Sequence, residues 1–441
     1  MKTPIRDFVA RYAEKSVSRL HMPGHKGRGP LGCEALDITE IAGADALYEA
    51  AGIIDESEKN AAALFGTRRT LYSTEGSSQC IRAMLYLALT ARRPGRGRPL
   101  ALAARNAHKA FLFAAALCDF DVQWLYPEEE SASLCGCPVS AAGLAAALDA
   151  LAEPPFCVYV TSPDYLGGML DIASLSRVCR ARGVPLLVDN AHGAYLRFLP
   201  EAAHPMELGA DMCCDSAHKT LPVLTGGAYL HIAKAADPRY AAAAKRAMAL
   251  FGSTSPSYLI LQSLDCANAA LAGDWPARLS ACRARMDALK ATLRARGFDA
   301  PGTEPMKLTL ATDGPRAAAL LREQGVECEY ADEGHVVLMA SPDNGEEDFL
   351  RVERALAAPL PHAPRAFYPP RPPRRMTIRE ALFAPDELLP VRAAIGRVCA
   401  APTVSCPPAI PIAVSGEEIT DEVAAAFERF GVEEISVVKE S

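Results

Sequence analysis

Gly183-Val184-Pro185-Leu186-Leu187-Val188-Asp189-Asn190-Ala191-His192 and Asp211-Met212-Cys213-Cys214-Asp215-Ser216-Ala217-His218-Lys219 decide how this chain is read. Each opens as an apolar, strand-like run and closes in reactive side chains. The first places Asp189 at the carboxyl end of a strand, with His192 three residues on. The second places His218 and Lys219 just after a short strand. In an open α/β sheet, ligands bind beyond the carboxyl ends of the strands. The 30 residues from Asp189 to Lys219 leave room for a crossover and a second strand.

An acid that keeps a ring nitrogen protonated and a lysine that forms a Schiff base are what pyridoxal phosphate asks of a protein. Ordinary alternatives exist for each pair. Asp at a strand end often caps a turn, and His-Lys often lies on the surface. A third stretch tips the balance. Thr70-Leu71-Tyr72-Ser73 reads as a strand, Thr74-Glu75-Gly76-Ser77-Ser78 as a turn, and Gln79 to about Ala91 as an apolar helix. A Gly-Ser-Ser turn at a helix N-terminus offers backbone N–H groups, the helix dipole and hydroxyls to a phosphate. Ser77 or Ser78 as a plain helix cap is the competing use.

The same alternation continues outward. Strands are expected at Pro99–Ala104, Asp121–Tyr126 and Phe156–Thr161, with helices at Ala141–Leu151 and Leu175–Arg182. Strands alternating with helices mean βαβ units and a mostly parallel sheet. His108, Asp164, Asp189 and His218-Lys219 all follow strands, which places them on one rim. Gly226 to Ile232 comes too soon after Lys219 for a parallel crossover, so an antiparallel strand is expected there. Phe251 to Tyr258 is a polar turn opening a helical stretch that runs to about Arg296. From about Pro301 the pattern becomes that of a small α+β domain, with strands at Met306–Ala311, Glu327–Tyr330 and His335–Met339. Pro361 to Arg375 reads as a linker. A helix at about Pro390–Ala400, a stiff Ser405–Pro411 loop and a final helix–strand unit are expected to close the chain.

The bulk numbers narrow the function classes. The chain has 441 residues, half of them apolar and 22% charged, as in ordinary globular proteins. A net charge of −7 argues against a nucleic-acid partner. No apolar run is long enough to span a bilayer, and Met1 to Asp7 lacks a secretory core. The 14 cysteines mostly sit in apolar segments, which suits a reducing cytosol better than a disulfide framework. Cys135-Gly136-Cys137 and Cys213-Cys214 lack zinc spacing, so no metal is expected. His21-Met22-Pro23-Gly24-His25-Lys26-Gly27-Arg28 could bind an anion, but its composition favours a solvated basic loop.

Taken together, these stretches resemble the Orn/Lys/Arg decarboxylase family of fold-type-I pyridoxal phosphate enzymes. The resemblance rests on His21 to Gly27, Asp37-Ile38-Thr39-Glu40-Ile41, Gly76-Ser77-Ser78, Asn106-Ala107-His108-Lys109, Val188 to Ala194, Ser216 to Leu221 and Cys406-Pro407-Pro408. It implies an α/β, aspartate aminotransferase-like large domain plus small α+β C-terminal domains. The divisions are an arm at 1–30, a cofactor domain at 31–265, a linker helix and small domain at 266–360, and a Pro-rich linker with a C-terminal domain at 361–441.

The resemblance also implies roles. Lys219 becomes the Schiff-base lysine, Asp189 the partner of the pyridine nitrogen, and His108 the residue stacked on the ring. Gly76, Ser77, Ser78 and Ser216 hold the phosphate. His192 lies against the cofactor on the Asp189 side, and His218 sits beside the reacting carbon as a proton donor. Fold-type-I sites lie at dimer interfaces, so Thr254 or Ser255 is expected to reach a neighbour's phosphate in a homodimer or larger assembly.

The implied reaction is decarboxylation of ornithine, lysine or arginine to a polyamine-pathway amine, in the cytoplasm. Transamination, desulfuration or aldol cleavage with the same cofactor is the rival set, and a non-catalytic relative is the other. Three positions depart from the family pattern: Glu75 in place of Asn, Ala409 in place of Gly, and Ser415 in place of Pro. A cationic substrate needs a carboxylate. The candidates are Glu75, Asp164, Glu417 and Glu418.

Overall fold

The computed structural model describes residues 1–92, 97–128, 133–360, 368–402 and 409–440. The Cys406-Pro407-Pro408 motif and the first half of the 361–375 linker lie outside them. Seven strands carry the large α/β part: β1 (Arg69–Ser73), β2 (Leu100–Ala104), β3 (Asp121–Leu125), β4 (Cys157–Thr161), β5 (Leu186–Asp189), β6 (Met212–Asp215) and β7 (Ala228–Ile232). They are mostly parallel. The smaller strands are β8 (Lys307–Ala311), β9 (Tyr330–Ala331), β10 (His335–Met339), β11 (Asp386–Pro390) and β12 (Glu434–Val438).

The chain divides into two compact units. The first comprises residues 1–91 and 185–282. Its strands run in the order β1-β7-β6-β5. β5 and β6 are parallel, while β7 is antiparallel to both β1 and β6, as the short connection requires. Helices α1 (Pro4–Glu14), α2 (Ile53–Phe65) and α3 (Ser77–Ala91) belong here. β5 and β6 are buried along their whole length, which is why they read as continuous apolar runs rather than alternating ones. α3 buries nine residues from Gln79 to Leu89, most of them apolar, and packs on β6 and β7. Gly66 ends α2 at φ +69°, where a β-carbon would be strained. The expected long helix is two helices, Tyr258–Leu271 and Trp275–Ala295, parted at Ala272–Asp274.

The second unit comprises residues 92–184 and 283–441. It holds parallel β4-β2-β3, the antiparallel trio β8-β10-β9 and the antiparallel pair β11-β12. β9 is two residues long and begins where the expected Glu327–Tyr330 strand ends. The helix expected at Pro390–Ala400 is corrected. Leu388 and Leu389 extend to pair with Ser436 and Ile435, and only a 3-10 turn follows at Val391–Ala394. Gly396 takes φ +85°, in the left-handed region, so a continuous helix cannot run through it. The thirteen cysteines among the described residues are all free. No helix is long and apolar enough to cross a membrane among those residues.

Candidate active site

The first unit assembles the Asp189 and Lys219 loops. Parallel pairing sets Asp189 opposite Cys214, so both loops leave the sheet at the same end. Asp189 is 2% exposed. Its Oδ1 accepts the Ala191 N–H at 3.2 Å and faces Cys214 Sγ at 3.6 Å. His192 is 5% exposed, and its Nε2 lies 3.0 Å from Lys219 Nζ. Lys219 itself is exposed, on the single turn Ala217–Thr220. His218 donates through Nδ1 to the Gly227 carbonyl at 3.0 Å, since a carbonyl only accepts. That leaves Nε2 as its working nitrogen. Burial, with the Lys219 charge beside it, pushes the His218 imidazole below its ordinary value.

The phosphate candidates lie in the same unit. Ser77 and Ser78 open α3, two residues earlier than the expected Gln79 start. Ser216 Oγ donates to Ser77 Oγ at 2.8 Å. Gly76 has φ +70°, and a β-carbon there would meet nothing within 4 Å. Open space above the N-terminus of a 15-residue helix, beside the paired Ser77 and Ser216 hydroxyls, fits a phosphate. Together with a buried carboxylate and a nearby amine, the residues present fit pyridoxal phosphate. Glu75 is exposed and turns its Oε1 to the Ser253 N–H. Thr254 and Ser255 are exposed on the same loop.

The remaining candidates fall in the second unit, each past the end of a strand or in the C-terminal segment. His108 follows β2 and caps the Lys109–Cys118 helix, its Nδ1 accepting the Ala110 N–H at 3.1 Å. Asp164 follows β4 and caps a turn. Its Oδ1 accepts the N–H groups of Leu166 and Gly168 at 2.9 and 2.8 Å, and burial pushes it up to about 6. Glu417 is 5% exposed, accepts the Val414 N–H at 2.7 Å and faces Arg105 Nη2 at 3.5 Å. Burial raises it above the usual carboxylate range despite that arginine. Glu418 pairs with Arg375 at 2.6 Å. In the N-terminal arm, His25 pairs with Asp37 at 3.1 Å and Lys26 donates to the His21 carbonyl, so two of the basic groups there have partners within the chain.

Sequence reading gave no role to Asn190, His204, Asp215 or His231, which form a buried cluster beside the Lys219 turn. The pairing of β5, β6 and β7 brings Asn190, Asp215 and His231 together, His204 joins them from the cap of the Pro205–Leu208 helix, and no spacing along the chain announces it.

A model of the Orn/Lys/Arg decarboxylase major domain matches residues 3–282. An arginine decarboxylase of Halalkalibacterium halodurans is 29% identical, covering 95% of this chain and 91% of its own. The uncharacterised protein YaaO of Bacillus subtilis is 27% identical over 97% of this chain and 94% of its own. Among solved structures, the constitutive lysine decarboxylase of E. coli superposes with a TM-score of 0.78 at 18% identity, over 99% of this chain and 82% of that one.

Proposed function

Because the chain belongs to the Orn/Lys/Arg decarboxylase family, and is therefore a pyridoxal phosphate-dependent decarboxylase acting on basic amino acids, we propose arginine as its first substrate and Lys219, Asp189 and His218 as its catalytic residues. The observation that carries the assignment is the approach of Lys219 Nζ to His192 Nε2 at the end of the sheet where Asp189 is buried. Arginine is favoured over lysine and ornithine by the names of the relatives that align nearly end to end.

When bound, the cofactor supplies an electron sink for the bond pair left as carbon dioxide departs. Asp189, a buried carboxyl group, would keep the ring nitrogen protonated. Ser77, Ser78 and Ser216 would hold the phosphate at the start of α3. His192 would lie against the ring. Lys219 would anchor the cofactor through its side-chain amine. His218, tied at Nδ1 to the Gly227 carbonyl, would give the α-carbon a proton carried on Nε2 in its imidazolium form, and its lowered basicity would ease that release; Lys219 is the alternate donor. Of the four acidic candidates for the distal cation, Glu75 is the exposed one, and we take it first.

The same reading makes the active form at least a dimer. Val17, Leu20 and Met22 in the arm and Leu31 just after it are 44, 95, 63 and 81% exposed, an apolar surface suited to burial against a second copy. Thr254 or Ser255 then reaches the neighbour's phosphate. We place the reaction in the cytoplasm, at the entry to polyamine synthesis.

The test is an end-point assay for amine and carbon dioxide on arginine, lysine and ornithine with added cofactor. Agmatine from arginine is expected, and Glu75→Gln should raise KM for the basic substrate. Preference for a neutral amino acid, or transamination without carbon dioxide, overturns the reading. Mixing Lys219→Ala with Thr254→Ala/Ser255→Ala protein should restore activity in hybrid dimers.

A further inference from the structure

Asp215 ends β6, one residue before Ser216 and four before Lys219. Its side chain is fully buried, and so are those of His204 and His231. Oδ2 receives His204 Nε2 at 3.0 Å and His231 Nε2 at 3.1 Å. Oδ1 receives Asn190 Nδ2 at 2.7 Å, with Cys213 Sγ at 3.9 Å.

Two histidines and a carboxylate suggest a metal site, and the tautomer argues against one. His204 Nδ1 accepts the Met206 N–H at 3.3 Å, so its proton sits on Nε2 and points at Asp215. A metal-bound imidazole has the opposite arrangement, donating from its other nitrogen. His231 Nδ1 faces Thr70 Oγ1 at 2.8 Å, which faces Thr67 Oγ1 at 2.8 Å. The cluster is a carboxylate ringed by donors.

Donors at both oxygens make the residue type specific. An amide at 215 would turn its own NH2 either on Asn190 Nδ2 or on the two imidazoles. Burial alone would raise the carboxyl's proton affinity, but His204 and His231 outweigh it and bring it down. The other titratable groups that feel its charge are Cys80, Cys213, Cys214 and Tyr229, all buried and all held protonated.

The loop held by this carboxylate is the one that bears Asp189. Asn190 follows Asp189 directly, and its backbone N–H binds the Cys214 carbonyl at 3.0 Å. Its Oδ1 occupies the space where a β-carbon on Gly193 would stand, 2.1 Å away. Asn190 thus has one settled orientation, which the bond to Asp215 sets.

We propose that Asp215, gripped by His204 and His231, is a positioning residue that locks the Asp189–His192 loop to the Ser216–Lys219 turn through Asn190. The proposal rests on the cofactor site described above. It explains a fully buried carboxylate that touches neither candidate ligand nor solvent. A displacement of about 1 Å between reacting groups can cost about a hundredfold in rate, and this bond fixes the distance from the ring-nitrogen partner to the anchoring lysine.

The experiment compares wild type, Asn190→Ala and Asp215→Asn as holoenzymes. Asn190→Ala cuts the tie and leaves the His204–Asp215–His231 core in place, so it keeps the test valid if Asp215→Asn does not fold. Both variants are expected to lose cofactor affinity about tenfold, to shift the pH midpoint of the holoenzyme's visible band, and to lower kcat about 10- to 100-fold with KM within about twofold. A purely structural role would lower the thermal midpoint and leave the band and the kcat–KM split alone. Wild-type cofactor affinity, band and kcat in Asn190→Ala overturn the proposal, as does stoichiometric zinc in the purified protein. A wild type that binds no pyridoxal phosphate overturns the cofactor reading instead, and that outcome is visible before any variant is compared.

Discussion

Lys219 and Lys307 stand in opposite surroundings. Lys219, in the first unit, is exposed at the end of a turn and approaches an imidazole. Lys307, at the start of β8 in the second unit, is 3% exposed. Its Nζ donates to the carbonyls of Asp164 and Tyr165, both at 3.2 Å, and lies over the Tyr165 ring. Burial lowers its proton affinity against the pull of Glu304, Asp164 and Glu329. A strongly perturbed group often marks a functional site. Here the perturbed lysine staples a turn to a strand, and the lysine proposed to hold the cofactor is set by its place past a strand end.

Chemistry at the wrong lysine would break this contrast. Borohydride reduction of the holoenzyme should fix the cofactor on the Lys219 peptide, and Lys219→Ala should lower turnover by at least about 10⁴-fold with the fold intact. Label on Lys307 would reverse the roles. Next in size is the phosphate cradle. Each charge-assisted hydroxyl contact is worth about 1.5–3 kcal/mol, so Ser77→Ala/Ser78→Ala should weaken cofactor binding by roughly a hundredfold or more. Apoprotein melting should stay near wild type. Unchanged affinity would leave the two serines as helix caps.

The structural lysine sharpens the contrast from the other side. Lys307→Met leaves the buried acids without their cation and should cost about 3 kcal/mol in urea unfolding, with kcat near wild type. A large kcat loss at unchanged stability would place Lys307 in the chemistry.

The smallest effect concerns Asp164. Its folded value, pushed up to about 6 by burial, stands above the ordinary 3.8. A raised carboxyl binds its proton more tightly when folded, so its contribution is fullest below pH 3.8 and is lost as pH rises through 6. Wild type should therefore lose on the order of 2 kcal/mol between about pH 4 and 7 relative to Asp164→Asn. Parallel melting curves for the two proteins across that range would refute it.

The sequence alone determined what depends on neighbours along the chain. A buried parallel strand needs an unbroken apolar run, and its end is marked by the first polar residue. Asp189, His192, His218 and Lys219 could therefore be placed past β5 and β6, and the short link after Lys219 required an antiparallel β7. The Gly76-Ser77-Ser78 turn was legible for the same reason, since helix starts are local. Local pattern failed at 390–400, where the chain leaves a Leu388-Leu389 strand paired with Ser436 and Ile435 and makes only a short 3-10 turn instead of a helix. Tertiary structure alone decided the contacts between distant segments. Asp265 accepts the N–H groups of Ile5 and Arg6, 260 and 259 residues away, and Arg105 meets Glu417 across 312. Asn190, His204, Asp215 and His231 share no period, because strand pairing rather than chain spacing joins them. A buried charge must be satisfied wherever the packing leaves it, and packing is a property of the whole fold.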